Sequence, residues 1–260
     1  MLDSPVRAVA VISYHTSPLG SLGRGENGGM NLAIRRLCEG LSAAGVPTDV
    51  FVRRDDAAAA SEELIAPRSR LIRIPAGPER PIPKTEARHH VGTFVQAVID
   101  HALSERRRYR LIHAHYWLGG LVAGALQRAW AVPWVQSFHT LAGAKLAAGL
   151  DVEDGRAARE GELAAAADLL LAASHAEAGD LVRLYGVPPS RVSVIPPGVA
   201  VAPPADAGRL AELRGRLGLE GCRVVLFAGR LEPLKGIDLL LEAMTRLAAD
   251  EEFSDVHCVV

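Results

Sequence analysis

Short apolar segments alternate with amphipathic helical ones along this chain of 260 residues, and that alternation limits what it can fold into. Residues 9–13, 48–52, 71–74, 111–114, 134–138, 169–172 and 192–195 read as strands. They are almost continuously apolar, as strands covered on both faces must be. Helical patterns separate them. In the first, Met30, Ile34, Leu37 and Leu41 share a face and Gly45 fits the C-terminal cap. Others run from Glu86 to about Arg107, from Leu118 to Trp130, over 156–167 and over 175–185. Strand–helix–strand order of this kind predicts a doubly wound α/β domain with a parallel sheet.

The pattern stops at Pro196-Pro197-Gly198 and then restarts. Residues 199–220 are richer in proline, alanine and charge and read as a linker with a short helix. A strand (224–227), a loop (229–236), a helix (237–248) and a strand (256–260) follow. The expected organisation is an N-terminal Rossmann-like domain over 1–198, a linker over 199–220, and the beginning of a second Rossmann-like domain over 221–260. About 40 residues are too few to complete a doubly wound domain, so the second is expected to be cut short.

Composition removes several function classes. The 29 Lys and Arg against 30 Asp and Glu argue against a nucleic-acid binder driven by bulk charge. Aromatic residues at 5% leave little for base stacking. Arg106-Arg107-Arg108 with Arg110 is a local basic run, read as the solvated end of the preceding helix. Cys38, Cys222 and Cys258 are too dispersed for a zinc motif or a disulfide framework, which makes a reducing cytoplasm the default. No leader peptide is evident, and no apolar run reaches the roughly 20 residues that span a bilayer.

Polar residues gather where predicted strands end, which is where open parallel sheets bind ligands. Ser13 and His15 follow the first strand, His113, His115 and Tyr116 the fourth, and His139 and Thr140 the fifth. Between the first strand and its helix lies a glycine-rich turn with Gly20, Gly23, Gly25, Gly28 and Gly29. Such a turn before a helix N-terminus admits an anion to backbone N–H groups. In the second unit Arg230 and Lys235 sit five apart in a loop before a helix, suited to a diphosphate or, on the bland reading, simply solvated. His113 and His115 share a strand face and could chelate a metal, but no third ligand has convincing spacing. There is no Gly-x-Ser-x-Gly elbow and no Walker motif, and the glycine turn lies too far from the first strand for a dinucleotide fingerprint.

Together His15-Thr-Ser-Pro-Leu19, Gly28-Gly-Met-Asn31, Ile112-His-Ala-His-Tyr-Trp117, Phe138-His-Thr-Leu141 and Gly229-Arg-Leu-Glu-Pro-Leu-Lys-Gly236 resemble the retaining glycosyltransferases of GT-B family 4. Within that family the chain resembles the mycothiol-pathway D-inositol 3-phosphate glycosyltransferases, and it shares several motifs with sucrose-phosphate synthases. The resemblance implies transfer of a hexose, such as N-acetylglucosamine, from a nucleotide sugar to a phosphorylated polyol. It places Ser21, Leu22 and Gly29 at the donor diphosphate, with Arg230 and Lys235 neutralising it. It places His139 at the reaction centre, and His15, Asn31, Lys84, Tyr116, Thr140 and Arg156 around the acceptor. Catalysis would need no cofactor and no metal. The acceptor would attack from the face the diphosphate leaves, and a phosphate oxygen would take its proton. The family's late pair of glutamates has no counterpart here, so a fragment is expected. A transferase acting on hexose phosphates and an inactive acceptor-binding module are the alternatives. Expected partners are small molecules and not nucleic acid, with no transmembrane segment; the oligomeric state stays open, a homodimer included.

Overall fold

The chain is described by a computed structural model over residues 7–21, 23, 27–199, 203–229, 231 and 235–260. It divides into two compact units, Met1–Gly198 and Val199–Val260.

The first unit is built on one sheet of eight strands: β1 (Arg7–Ile12), β2 (Thr48–Arg53), β3 (Glu62–Ala66), β4 (Ser69–Ile74), β5 (Arg108–His115), β6 (Trp134–Ser137), β7 (Leu169–Ala172) and β8 (Val192–Val194). Their order is β3-β4-β2-β1-β5-β6-β7-β8. Neighbours run parallel except β3, which pairs antiparallel with β4. Among the described residues seven α-helices accompany them: α1 (Gly29–Ala43), α2 (Lys84–Ala87), α3 (Val91–Ser104), α4 (Tyr116–Trp130), α5 (Ala142–Ala147), α6 (Arg156–Ala166) and α7 (His175–Tyr185).

Strand β1 shows why the strands read as unbroken apolar runs. Successive side chains leave a strand on opposite faces. Ala8, Ala10 and Ile12 join one core with Phe51, Phe94, Leu118 and Trp134. Val9 and Val11 join a second with Ile34, Cys38, Val50 and Leu71. Both faces are covered, so neither tolerates a polar alternation. The order also reverses at β1, which has β2 on one side and β5 on the other. That reversal opens a crevice beyond the carboxyl ends of β1 and β5.

Three expectations need correction. Strand β3 was not expected: its residues are exposed or half-buried and it pairs at the sheet edge, so it lacks the apolar run that marks the others. The helix expected over Glu86 to Arg107 is α2, a 3₁₀ turn at Arg88–His90 and α3, which stops at Ser104. The basic run begins just past the end of α3, with Arg106, Arg108 and Arg110 exposed as expected and Arg107 half-buried. Arg106 has φ 52°, and Arg108 already lies in β5. Arg107 reaches back to the fully buried Asp49, Nε to Oδ2 3.1 Å, which Arg70 and the Tyr109 hydroxyl also contact. On α1 the buried residues are Asn31, Ile34, Cys38 and Ser42, and Met30, Leu37 and Leu41 are half-buried beside them. Gly45 follows this helix at φ 78°.

Helix α4 approaches the sheet closely because its first turn carries two glycines. A Cβ on Gly119 would stand 3.0 Å from the Ile12 carbonyl oxygen, and one on Gly120 would stand 2.8 Å from Gln136 Oε1 and 2.9 Å from Leu163 Cδ1. A backbone carbonyl cannot rotate away as a side chain can. Gly119→Val should therefore lose about 1–3 kcal/mol by overpacking, measured as a lowered urea midpoint at unchanged slope.

In the second unit, α8 (Ala207–Arg216) starts at Asp206, whose carboxylate accepts from the Arg209 N–H at 2.9 Å. Strands β9 (Arg223–Leu226) and β10 (Val256–Val259) pair in parallel, with α9 (Ile237–Leu247) between them in sequence. Arg223 forks onto the Asp255 carboxylate at 2.6–3.1 Å and lies over the Phe253 ring. Among the described residues no helix is long and apolar enough to cross a membrane.

Candidate active site

The loop leaving β1 is held by its own polar side chains. Ser13 Oγ donates to the Thr16 carbonyl at 2.7 Å. Asn31, fully buried in the first turn of α1, reaches back over the loop. Its Nδ2 donates to Thr16 Oγ1 and to the Ser17 carbonyl, both at 2.7 Å, while its Oδ1 accepts from the Gly28 N–H at 3.0 Å. The Asn31 amide thus shapes the loop rather than standing open in it. Gly29 is exposed at the start of α1, and a Cβ there would meet nothing. The helix N-terminus is open to an approaching anion.

Three histidines line the crevice at the ends of β5 and β6. His113 and His115, two apart on one strand, put their rings 4.2 Å apart. His113 Nε2 meets Ser137 Oγ at 3.0 Å, and His115 Nδ1 meets His139 Nε2 at 2.8 Å. Burial pushes His113 down to about 3 and His139 to about 4, and holds His115 well below the usual imidazole range. All three are neutral at pH 7, so one nitrogen of the His115–His139 contact donates and the other accepts. His115 Nε2 is buried without a hydrogen bond. A bare lone pair there costs less than an orphaned N–H, which assigns the shared proton to His115 Nδ1 and leaves His139 its own on Nδ1. His139 itself has φ 64°. A cavity of about 240 Å³ is bounded by His113, His115, Ser137 and His139 and by Ile195 and Pro196. Among the described residues no three His, Cys, Asp or Glu side chains are grouped to hold a metal ion.

Beside this lies a cationic pocket built around Tyr116. Tyr116 has φ 66°, a backbone conformation that a bulky residue adopts only under constraint. The constraint is visible: Gln136 Nε2 donates to the Tyr116 carbonyl at 3.0 Å, and the ring is nearly buried. Lys84 Nζ lies 5.2 Å from the ring centroid and the Arg156 guanidinium carbon 4.7 Å from it. The His15 ring is 4.7 Å from it as well. His15 is pushed down to about 3, chiefly by burial and then by the positive charges of Lys84 and Arg156. Arg156, 2% exposed, also donates to Thr140, from Nη2 to the carbonyl at 3.1 Å and to Oγ1 at 2.9 Å. Glu153 and Glu160 take its other edges, at 3.2 Å and 2.7 Å.

The structure therefore brings His15, Lys84, Tyr116, Thr140 and Arg156 together, with His139 joined to the neighbouring histidine pair. Arg156 is no surface cation. Ser21 is exposed in the β1 loop, and Lys235 is exposed just before the Gly236 cap of α9 in the second unit. Leu22 and Arg230 lie outside the described residues. Sequence reasoning missed Gln136, Glu153 and Glu160. Glu160 had one visible signal, its four-residue spacing from Arg156 on a helical pattern.

A profile described as Glycosyltransferase Family 4 matches residues 27–202. The D-inositol 3-phosphate glycosyltransferase of Acidothermus cellulolyticus is 42% identical over 246 residues, covering 91% of this chain and 54% of that protein. The protein of the same name from Kribbella flavida is 38% identical, covering 95% of this chain and 59% of its own length. The chain thus spans a little over half the length of these relatives. Among solved structures, a sucrose-phosphate synthase from Thermosynechococcus elongatus superimposes with a TM-score of 0.80 at 26% identity, over 97% of this chain and 70% of that one. The α/β architecture expected of a GT-B enzyme is the one observed.

Proposed function

Since the chain belongs to Glycosyltransferase Family 4, we propose that the protein moves a hexose from a nucleotide diphosphate sugar to a phosphorylated polyol such as inositol 3-phosphate, with retention at the anomeric carbon. The carrying observation is the convergence of Lys84 and Arg156 on the Tyr116 ring. Both side chains carry positive charge to one ring, where a phosphate dianion would meet it, and Glu153 and Glu160 balance part of that charge at Arg156. Lys84 serves as a point charge, and Arg156, held by Thr140, Glu153 and Glu160, as a fixed positive charge with one Nη1 hydrogen to offer. The names of the relatives support inositol 3-phosphate as acceptor. N-acetylglucosamine is the sugar suggested by the resemblance to mycothiol-pathway enzymes.

The roles follow from the chemistry of each group. The Ser21–Gly29 segment, with Leu22, and the N-terminus of α1 receive the donor diphosphate. Arg230 and Lys235 neutralise the charge that grows on it as the bond to the sugar breaks. No covalent nucleophile is invoked, and the departing phosphate oxygen takes the acceptor proton. His139, neutral with a proton on Nδ1, donates a hydrogen bond to the sugar and does not serve as an acid at pH 7. No cofactor or metal takes part in this reading.

A hexose phosphate is the second acceptor, favoured by the likeness to sucrose-phosphate synthase. A matrix of UDP-, GDP- and ADP-sugars against inositol 3-phosphate and hexose 6-phosphates separates the two. The expected product is an inositol phosphate glycoside that keeps the donor's anomeric configuration by NMR. Transfer to hexose phosphates alone would install the second acceptor, and transfer to no phosphorylated acceptor would overturn both.

A further inference from the structure

We propose that Glu160 is the positioning residue of the acceptor-phosphate pocket: its buried carboxylate fixes the plane of the Arg156 guanidinium and ties it to α5 and α7. The proposal rests on the reading of Lys84 and Arg156 given above and deepens it. Glu160 is fully buried on α6, one turn beyond Arg156. Its Oε1 accepts from Arg156 Nε at 2.7 Å. Its Oε2 accepts from the Ala142 N–H at 2.7 Å, at the start of α5, and from the Tyr185 hydroxyl at 2.6 Å, at the end of α7. The same Tyr185 oxygen accepts from the Gly143 N–H at 2.8 Å. One carboxylate thus takes three donors from three helices.

The geometry gives the bond to Nε a particular consequence. A guanidinium is planar, so a bond at Nε sets the direction of both Nη groups. Those groups are the ones at Thr140, Glu153 and the Tyr116 ring, where a phosphate would be met. Without Glu160 the Arg156 stem has several rotamers to choose from, and its charge and remaining Nη1 hydrogen are no longer preset toward an anion at the Tyr116 ring. Charge alone predicts the opposite. A negative carboxylate beside an anion site repels the anion, so removing it should tighten binding. The two effects have opposite signs, which makes the role of Glu160 measurable.

The test is a calorimetric titration of the protein with inositol 3-phosphate, and with inorganic phosphate as the minimal probe, for wild type, Glu160→Gln, Tyr185→Phe, Arg156→Lys and Lys84→Ala. The expected result is at least a tenfold weaker Kd for both ligands in Glu160→Gln, and about threefold in Tyr185→Phe, which keeps the carboxylate and is the milder variant should Glu160→Gln fold poorly. The Arg156 Nε–H resonance reports the position of the group directly. It should lie downfield and exchange slowly in wild type, and move upfield in Glu160→Gln. A role confined to stability would lower the melting temperature without moving the Kd of the folded protein. Wild-type or tighter phosphate binding in Glu160→Gln, or in a well-folded Tyr185→Phe whose Nε–H signal is displaced, overturns the proposal. If Arg156→Lys and Lys84→Ala weaken binding while Glu160→Gln does not, the acceptor pocket stands and only the positioning role falls. If Arg156→Lys and Lys84→Ala both bind as wild type does, the pocket itself is misassigned and the role of Glu160 goes with it.

Discussion

Arg156→Ala should destabilise the protein by about 3–5 kcal/mol, which is a large part of the stability of a typical domain. The reason lies in what remains behind. Glu160 is fully buried and Glu153 partly so, and both face Arg156. Removing the cation leaves the Glu160 carboxylate in the protein interior with only the Ala142 N–H and the Tyr185 hydroxyl. Breaking one side of a buried pair is far more costly than replacing both sides with well-packed groups. Arg156→Met combined with Glu160→Gln should therefore recover more than half of the lost stability in urea melts. It should not recover phosphate binding, because the fork is gone. Equal melting of Arg156→Ala and wild type would mean that the pair contributes nothing to the fold.

Acid should unfold the protein well above the range in which ordinary carboxylates titrate. His113 and His115 are buried and neutral; burial holds His113 down to about 3 and His115 well below the about 6.5 of the unfolded chain. A base whose folded value is depressed binds its proton more readily when unfolded. Its contribution is complete above about pH 6.5 and is lost as pH falls towards the folded value. His113 loses about 2 kcal/mol between pH 7 and pH 5, and His115 loses stability in the same direction. Protonation would also turn the His115–His139 contact into two donors facing each other. Glu177, whose carboxyl burial raises, works in the opposite sense near the lower end of this window. Urea midpoints measured from pH 7.5 to 5 should fall steeply in wild type and more gently in His113→Gln/His115→Gln. A flat wild-type profile would contradict the burial of neutral imidazoles.

The fold was legible where the apolar pattern carried it. The two faces of β1 predict a double-covered sheet, and the restart after Gly198 predicts renewed β and α segments. The edge strand β3 escaped because Glu62-Glu63-Leu64 faces water and pairs on one side only. Within the arginine run only Arg107 departs from a solvated reading, because its partner, Asp49, lies almost 60 residues earlier in the chain and is buried. The site was half legible. Motifs point to His139, Tyr116 and Arg156, yet no spacing reveals that Tyr116 and His139 adopt positive φ. Nor does it reveal that the Asn31 amide is spent on holding its own loop. Such facts depend on contacts between distant elements, which local patterns do not encode.

The central claim is that Lys84 and Arg156 form a phosphate-reading pair at the Tyr116 ring. Its most direct test is the ratio of affinities for inositol 3-phosphate and unphosphorylated inositol, in wild type and in Lys84→Ala, since Lys84 can be shortened without stranding the buried Glu160. The account predicts that the substitution lowers this ratio at least tenfold while inositol itself binds as before. An unchanged ratio in a folded Lys84→Ala protein would contradict it.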